Sequence, residues 1–70
     1  AYISKLINDL VGKQCIIRSE FIFSFAGKTE LSCKIIDADD EWIKICYTEK
    51  KDKQVVKLMR IENIESIEEQ

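Results

Sequence analysis

The 70-residue chain carries 11 basic and 13 acidic side chains, and 46% of its residues are hydrophobic. This length suits one domain, 1–70, near the lower size limit for a core without disulfides or metals. The net charge of −2 excludes a protein whose whole surface binds a polyanion. No apolar run approaches the roughly 20 residues that span a bilayer, so we expect no membrane partner.

The first predicted element is an α-helix over about residues 2–11. Four apolar residues follow the i, i+3, i+4, i+7 spacing of one helix face: Ile3, Leu6, Ile7 and Leu10. Gly12 follows directly and can adopt the positive φ that ends a helix. So short a helix is not stable alone, and we expect this stripe to pack on a sheet, with a partner-binding face as the alternative.

Strands are predicted from residue 13 to about residue 67. Gln14–Arg18 is a short strand after the glycine, and three phenylalanines then alternate with other residues at period two: Phe21, Phe23 and Phe25. This alternation predicts a second run of strand, and whether Ser19 and Glu20 form a bend stays open. Three rings on one face are more than a first strand needs, so the core is the default for this row with room for one or two rings outside it. An exposed row would instead form an oligomer interface or a stacking platform.

A β-hairpin follows over residues 31–47. Its first strand alternates Leu31, Cys33 and Ile35 with polar residues, and its second alternates Ile43, Ile45 and Tyr47 in the same way. The intervening residues 37–41 are rich in aspartate, which caps its own turns. An isolated hairpin is marginal in water, so the other elements are expected to pair with it or pack on it.

The wholly polar residues 48–54 predict a loop, and the next strand covers residues 55–61. Val56 and Leu58 lie on one face of that strand, while Val55 and Met59 lie on the other. Apolar residues on both faces predict either a strand between two layers or a strand paired across a subunit boundary. Residues 64–67 then form a turn and a short last strand, with a helical turn as the alternative.

The three cysteines lie 18 and 13 residues apart, without a C-x-x-C pair: Cys15, Cys33 and Cys46. Each lies in an apolar run typical of a strand, so we interpret all three as buried thiols, with a disulfide or a reactive thiol as the alternative. The odd count fits a reducing compartment, and we predict a cytoplasmic protein.

Together these elements predict a mainly β protein, in which an N-terminal α-helix precedes a strongly bent five-stranded antiparallel small barrel. The order of elements resembles the Sm-like fold of Sm, archaeal Sm-like and bacterial Hfq proteins. Residues 58–67, Leu-Met-Arg-Ile-Glu-Asn-Ile-Glu-Ser-Ile, resemble the second motif of that family, and residues 33–37 with 42–45 resemble the first. The helix that leads through Gly12 into the first strand also agrees.

The resemblance implies RNA binding around a ring pore, through an asparagine in the loop between strands two and three and an Arg-Gly pair in the last motif. Arg60 occupies the arginine position, but Ile61 replaces the glycine, and the loop carries Asp39, Asp40 and Glu41 without an asparagine. These carboxylates would repel the phosphate groups of an RNA backbone, so we expect the usual uridine site to be altered. A fold can persist without its activity.

Catalysis is not expected, because the chain has no histidine to act as a general base or to activate a nucleophile. The acidic residues 37–41 could hold a hard cation, but they lack the spacing and the glycine of an EF-hand loop, so we assign them to turn formation and predict no metal and no cofactor. Both glycines are isolated, so no phosphate-binding loop is predicted.

We therefore predict a non-catalytic binding protein that self-associates through strand edges. The nucleic-acid interpretation assigns binding to the following residues: Arg60, Lys50, Lys51, Lys53 and Trp42. For Arg60 the alternative is a local ion pair with Glu62, for the lysines a solvated hairpin tip, and for Trp42 a lid on the core. The rival function is a structural or protein-interaction module, homo-oligomeric or with a protein partner, that binds no RNA.

Overall fold

The computed structural model describes residues 5–70 as two short helices and one antiparallel five-stranded sheet. The elements in chain order are α1 Lys5–Asn8, β1 Gln14–Arg18, α2 Glu20–Ala26, β2 Glu30–Ala38, β3 Trp42–Thr48, β4 Gln54–Arg60 and β5 Ser66–Glu69. Short 3₁₀ turns, Lys50–Asp52 and Ile61–Asn63, precede β4 and β5. The prediction of a mainly β protein, in which five antiparallel strands follow a helix, is confirmed. The strand order is β4-β3-β2-β1-β5, and no pairing of β4 with β5 closes the sheet.

The core lies on one face of the sheet, as the alternation of apolar residues predicts. Side chains of β1, β2 and β3 point inward at every second position, and Met59 joins them from β4. Six of these side chains have no exposed surface, and they come from three neighbouring strands: Cys15, Ile17, Cys33, Ile35, Ile43 and Ile45. The hairpin predicted over residues 31–47 is therefore the centre of the domain.

The N-terminal helix is shorter than predicted. Residues 2–4 of the predicted helix lie outside the described residues, and α1 ends at Asn8, after which turns lead to Gly12. Ile7 and Leu10 pack against the core, but Leu6 is 80% exposed, so its assignment to the packed stripe is wrong. The early end of the helix is the reason, because Leu10 reaches the core through a turn rather than along the helix face. Gly12 has a φ of 88° and donates its N–H to the Ile35 carbonyl at 2.7 Å.

Residues 21–26 are helical, so the strand predicted there from the phenylalanine alternation is wrong. Ser19 caps the start of α2, since its hydroxyl accepts the Phe21 N–H at 3.1 Å, and Glu20 suits the first turn. Gly27 ends the helix with a φ of 73° and donates its N–H to the Phe23 carbonyl. Two caps that flank a seven-residue segment outweigh its period-two pattern.

The helix also settles where the aromatic row lies. Phe25 is half-buried beside Tyr47, with ring centroids 5.8 Å apart, whereas Phe21 and Phe23 are exposed. Ile22 is the residue of α2 that is fully buried. The core assignment is therefore correct for Phe25, and two rings lie outside the core. Phe23 is on the opposite side of the helix from Phe25, whereas Phe21, one turn before Phe25, contacts its ring with centroids 5.8 Å apart but stays 41% exposed.

Strand β2 is the long element that belongs to both halves of the sheet. It pairs with β1 from Glu30 to Lys34 and with β3 from Lys34 to Ala38. Between Ile35 and Asp37 the register shifts through a β-bulge, which bends a strand and increases its twist. The ladder between β2 and β3 begins at Lys34 and Cys46, although β2 starts before this pair and β3 continues after it.

Candidate binding surfaces

Trp42 and Arg60 form the part of the predicted nucleic-acid site that the structure brings together. They are register partners on β3 and β4, and the Arg60 guanidinium lies 5.2 Å from the centroid of the Trp42 ring. Trp42 is 39% exposed, so it is not a lid closed over the core. Arg60 also donates to the Glu62 carboxylate, at 2.7 Å from Nη2 and 3.2 Å from Nε, so the predicted ion pair forms as well.

Trp42 and Arg60 lie at the open end of the hairpin formed by β3 and β4, and the three lysines of the predicted site lie at its turn. Lys50 and Lys51 are in the 3₁₀ turn after β3, and Lys53 directly precedes β4. Trp42 and Thr48 are six residue steps apart along β3, a rise of about 20 Å. The single site predicted from these five residues is therefore divided into two surfaces, because a hairpin places its turn far from its open end.

The turn between β2 and β3 confirms the structural role assigned to its carboxylates. The Asp39 carboxylate accepts the N–H groups of Glu41 at 2.8 Å and Trp42 at 2.7 Å. These hydrogen bonds lower the pKa of Asp39 below its ordinary value, and the bond from Trp42 has the larger effect. Within residues 5–70 no group of three acidic, histidine or cysteine side chains is placed to hold a metal ion.

The outer face of β3 and β4 carries an apolar surface that the sequence pattern anticipated only in part. Val56 and Leu58 are each 56% exposed on β4, while Val55 and Met59 lie on the inner face as predicted. Trp42 and Ile36 extend this surface across β3 to β2, at 39% and 38% exposure. An outward face of an antiparallel sheet is usually polar, so this set of side chains is suited to a contact with another molecule.

The two edge strands carry opposite charges, which the sequence analysis missed. Residues 53–60, which include β4, contain three cations and no carboxylate: Lys53, Lys57 and Arg60. Residues 65–70, which include β5, contain three carboxylates and no cation: Glu65, Glu68 and Glu69. The signal was present in the sequence, but only the strand order shows that these two segments are the edges of one sheet.

The cysteines are unbonded thiols, and two of the three are buried as predicted. Cys15 and Cys33 face each other across β1 and β2 with no exposed surface, and burial raises the pKa of the Cys33 thiol to about 11. Cys46 is only half-buried, because it points to the outer face, where its Sγ lies 3.3 Å from the Gln54 side-chain oxygen. A thiol with a raised pKa is a poor nucleophile at neutral pH.

Comparisons with protein-family models, curated proteins and solved structures found no match to this chain. Among the described residues, no helix is both long and apolar enough to cross a membrane. The candidate surfaces are therefore argued from geometry and charge.

Proposed function

We propose that this protein is a non-catalytic binding module of the Sm-like type that assembles with copies of itself. In this assembly the β4 edge of one copy pairs with the β5 edge of the next. The helix followed by five antiparallel strands supports the Sm-like assignment, although α2 is an addition to the predicted elements. An edge strand presents a row of N–H and C=O groups that can pair with a strand of another chain.

The opposite charge of the two edges is the observation that carries this proposal. When different edges pair, the cations of β4 meet the carboxylates of β5, whereas two β4 edges or two β5 edges would repel each other. Lys53 and Lys57 on one edge and Glu65 and Glu68 on the other form no ion pair within residues 5–70, while Arg60 and Glu69 are already paired with Glu62 and Lys13. The favoured contact is therefore head-to-tail, and a head-to-tail contact builds rings or filaments rather than isolated twofold dimers. Val56 and Leu58 lie on β4 and add apolar surface next to the contact.

Reversal of the β5 charge tests the assembly. We expect light scattering on the wild-type protein to give a multiple of the 8.2 kDa chain mass, and the Glu65→Lys/Glu68→Lys double variant to give a single chain. Each reversal changes the edge charge by two, so β5 becomes basic like β4. Neither side chain makes an ion pair within residues 5–70, so the fold should persist, as circular dichroism would verify.

The Asp40→Lys/Glu41→Lys double variant is the matched control, because it makes the same total change of charge at the exposed turn between β2 and β3, outside both edge strands. It should leave the assembly mass unchanged. A wild-type protein that stays at 8.2 kDa at every concentration tested, or a β5 double variant that assembles like the wild type, would refute assembly through these edges.

Nucleic-acid binding at Trp42 and Arg60 is the second candidate function. The observation in its favour is the stacked pair, because an exposed aromatic ring beside a guanidinium is a platform for an unpaired base. The Arg60–Glu62 ion pair and the neighbouring acidic turn oppose it, since they reduce the positive potential that a phosphate requires. We therefore rank it below self-association.

An oligo-uridine titration tests this second function. If RNA binds at this pair, fluorescence anisotropy should show binding at low salt that weakens steeply as salt rises. Trp42→Ala should then weaken binding at least about fivefold, since one stacked base contributes about 1–3 kcal/mol. Lys51→Ala, at the far end of the hairpin, should change binding little. Absence of binding at low salt would eliminate this function and leave the self-assembling module.

A further inference from the structure

The separation of β2 from β3 opens a cleft at the end of the sheet opposite Trp42. The β2–β3 ladder begins at the pair Lys34 and Cys46, so the first residues of β2 pair with β1 alone. Tyr47 and Thr48, at the end of β3, pair with β4 alone. Two strands that are neighbours along most of their length therefore diverge here, and side chains rather than a ladder line the gap.

Two grooves meet in this cleft and share four lining residues. The inner groove, of about 490 Å³, lies against α2, and the outer groove, of about 410 Å³, opens on the outer face of the sheet. Lys28, Leu31, Tyr47 and Thr48 line both. The two grooves are thus the halves of one space, and each is large enough for a small molecule, which usually occupies about 300–1,000 Å³.

The two halves differ in polarity. Phe25 and Leu31 give the inner half an apolar wall, and the Phe25 ring lies 5.8 Å from the ring of Tyr47. The outer half is lined by hydroxyl and amide side chains, including Ser32 and Gln14. A molecule that spans both halves would place an apolar part against the rings and a polar part toward the strand ends.

The charge of the cleft is positive. Its lining residues include three cations and one carboxylate: Lys28, Lys34, Lys50 and Glu49. Lys57 adds a fourth ammonium group nearby, because its Nζ lies 4.3 Å above the centroid of the Phe25 ring. None of these lysines forms an ion pair within residues 5–70, so their charges are free to act on a ligand.

From this arrangement we propose that the cleft binds a small carboxylate that carries an apolar body. The apolar body lies against Phe25 and Leu31, and the carboxylate lies between Lys28 and Lys50. An anion complements the excess of lysines, and the apolar wall selects against small hydrophilic anions such as phosphate. The cleft involves neither β5 nor the Trp42–Arg60 pair, and it meets β4 at Gln54 and near Lys57. The carboxylate site between Lys28 and Lys50 does not depend on the functions proposed above.

The probe for this site is 4-phenylbutyrate, with the neutral 4-phenylbutyramide as its matched comparison. In a two-dimensional amide NMR titration, we expect the carboxylate to shift the backbone signals of Leu31, Ser32 and Thr48. The indole N–H of Trp42 should not move, because it lies at the opposite end of β3. The neutral amide should bind at least about fivefold more weakly, since it lacks the charge that two exposed lysines attract.

Lysine substitutions locate the carboxylate. Lys28→Ala and Lys50→Ala should each raise the Kd about threefold and together about tenfold, as expected for independent exposed charges. Lys51→Ala is the control, because Lys51 follows Lys50 but does not line the cleft, and it should leave the Kd unchanged. Equal affinity for the amide, shifts centred on Trp42, or no effect of Lys28→Ala would each overturn the proposal.

Discussion

Replacing Ile35 with alanine is expected to lower the free energy of unfolding by about 2–5 kcal/mol. Ile35 has no exposed surface, and it lies opposite Ile45 on β3, the strand at the centre of the core. The substitution removes buried apolar surface and leaves a cavity that the surrounding strands can fill only in part. Urea denaturation followed by circular dichroism measures the loss.

Ile36 provides a control of the same residue type at the next position. It lies in the bulge and is 38% exposed, so Ile36→Ala should change stability by less than about 1 kcal/mol. Ile35→Val, with an expected loss of about 0.5–1.5 kcal/mol, provides a measurable variant if Ile35→Ala does not fold. Similar losses for Ile35→Ala and Ile36→Ala would show that the bulge is placed wrongly in β2.

Ser19→Ala is expected to destabilise the protein by about 2–3 kcal/mol. Ser19 is fully buried, and its hydroxyl accepts the Phe21 N–H while it donates to the Asn63 carbonyl at 2.5 Å. Alanine removes the N-cap of α2 and also takes the hydroxyl donor away from the Asn63 carbonyl, in a part-buried contact. For a domain of this size, the melting temperature should fall by about 8–24 °C, because each kcal/mol corresponds to about 4–8 °C.

Ser24→Ala is the matched control for Ser19→Ala. The Ser24 hydroxyl also donates to a backbone carbonyl, that of Phe21, but this bond is exposed, so water can replace it. We expect a change within about 0.5 kcal/mol. If the two serine variants melted at the same temperature, the helical assignment of residues 20–26 would lose its main support.

The strands that could be predicted are those in which periodicity and burial agree. In residues 31–35 and 43–47, every second residue is apolar and is buried in the structure. The pattern is reliable there because the outward positions are polar, so only one register buries the apolar set. The polar loop after Thr48 was equally clear, since it contains no apolar residue.

Helix α2 could not be predicted from periodicity, because its seven residues are almost all apolar and fit either period. The signal that decides the structure is at its ends, where Ser19 caps one end and Gly27 the other. Aromatic residues favour strands, so their propensity points away from the helix that the caps determine. In so short a segment two capping interactions contribute as much free energy as the difference in propensity.

The residues of the candidate sites could be predicted from the sequence, but their positions relative to one another could not. Trp42 and Arg60 are 18 positions apart in the sequence, and only the register of β3 with β4 makes them neighbours. In the same register Lys50 lies far from Trp42 and Arg60, although in the sequence Lys50 is closer to Trp42 than Arg60 is. The cleft between β2 and β3 had no sequence signal, since it depends on where a ladder of hydrogen bonds begins.

The pairing of β1 with β5 has a consequence for the order in which the protein folds. These partners, from Arg18 and Ser66 to Cys15 and Glu69, are 48 to 54 positions apart, whereas Thr48 and Gln54 at the turn end of β3 and β4 are six apart. Closing the longer loop costs about 2 kcal/mol more chain entropy. We therefore expect the meander of β2, β3 and β4 to form first and β5 to join last. Until β5 pairs with it, β1 is an open edge of the sheet. During that time β1 can mispair with strands of other chains, although in the folded protein it lies between β2 and β5.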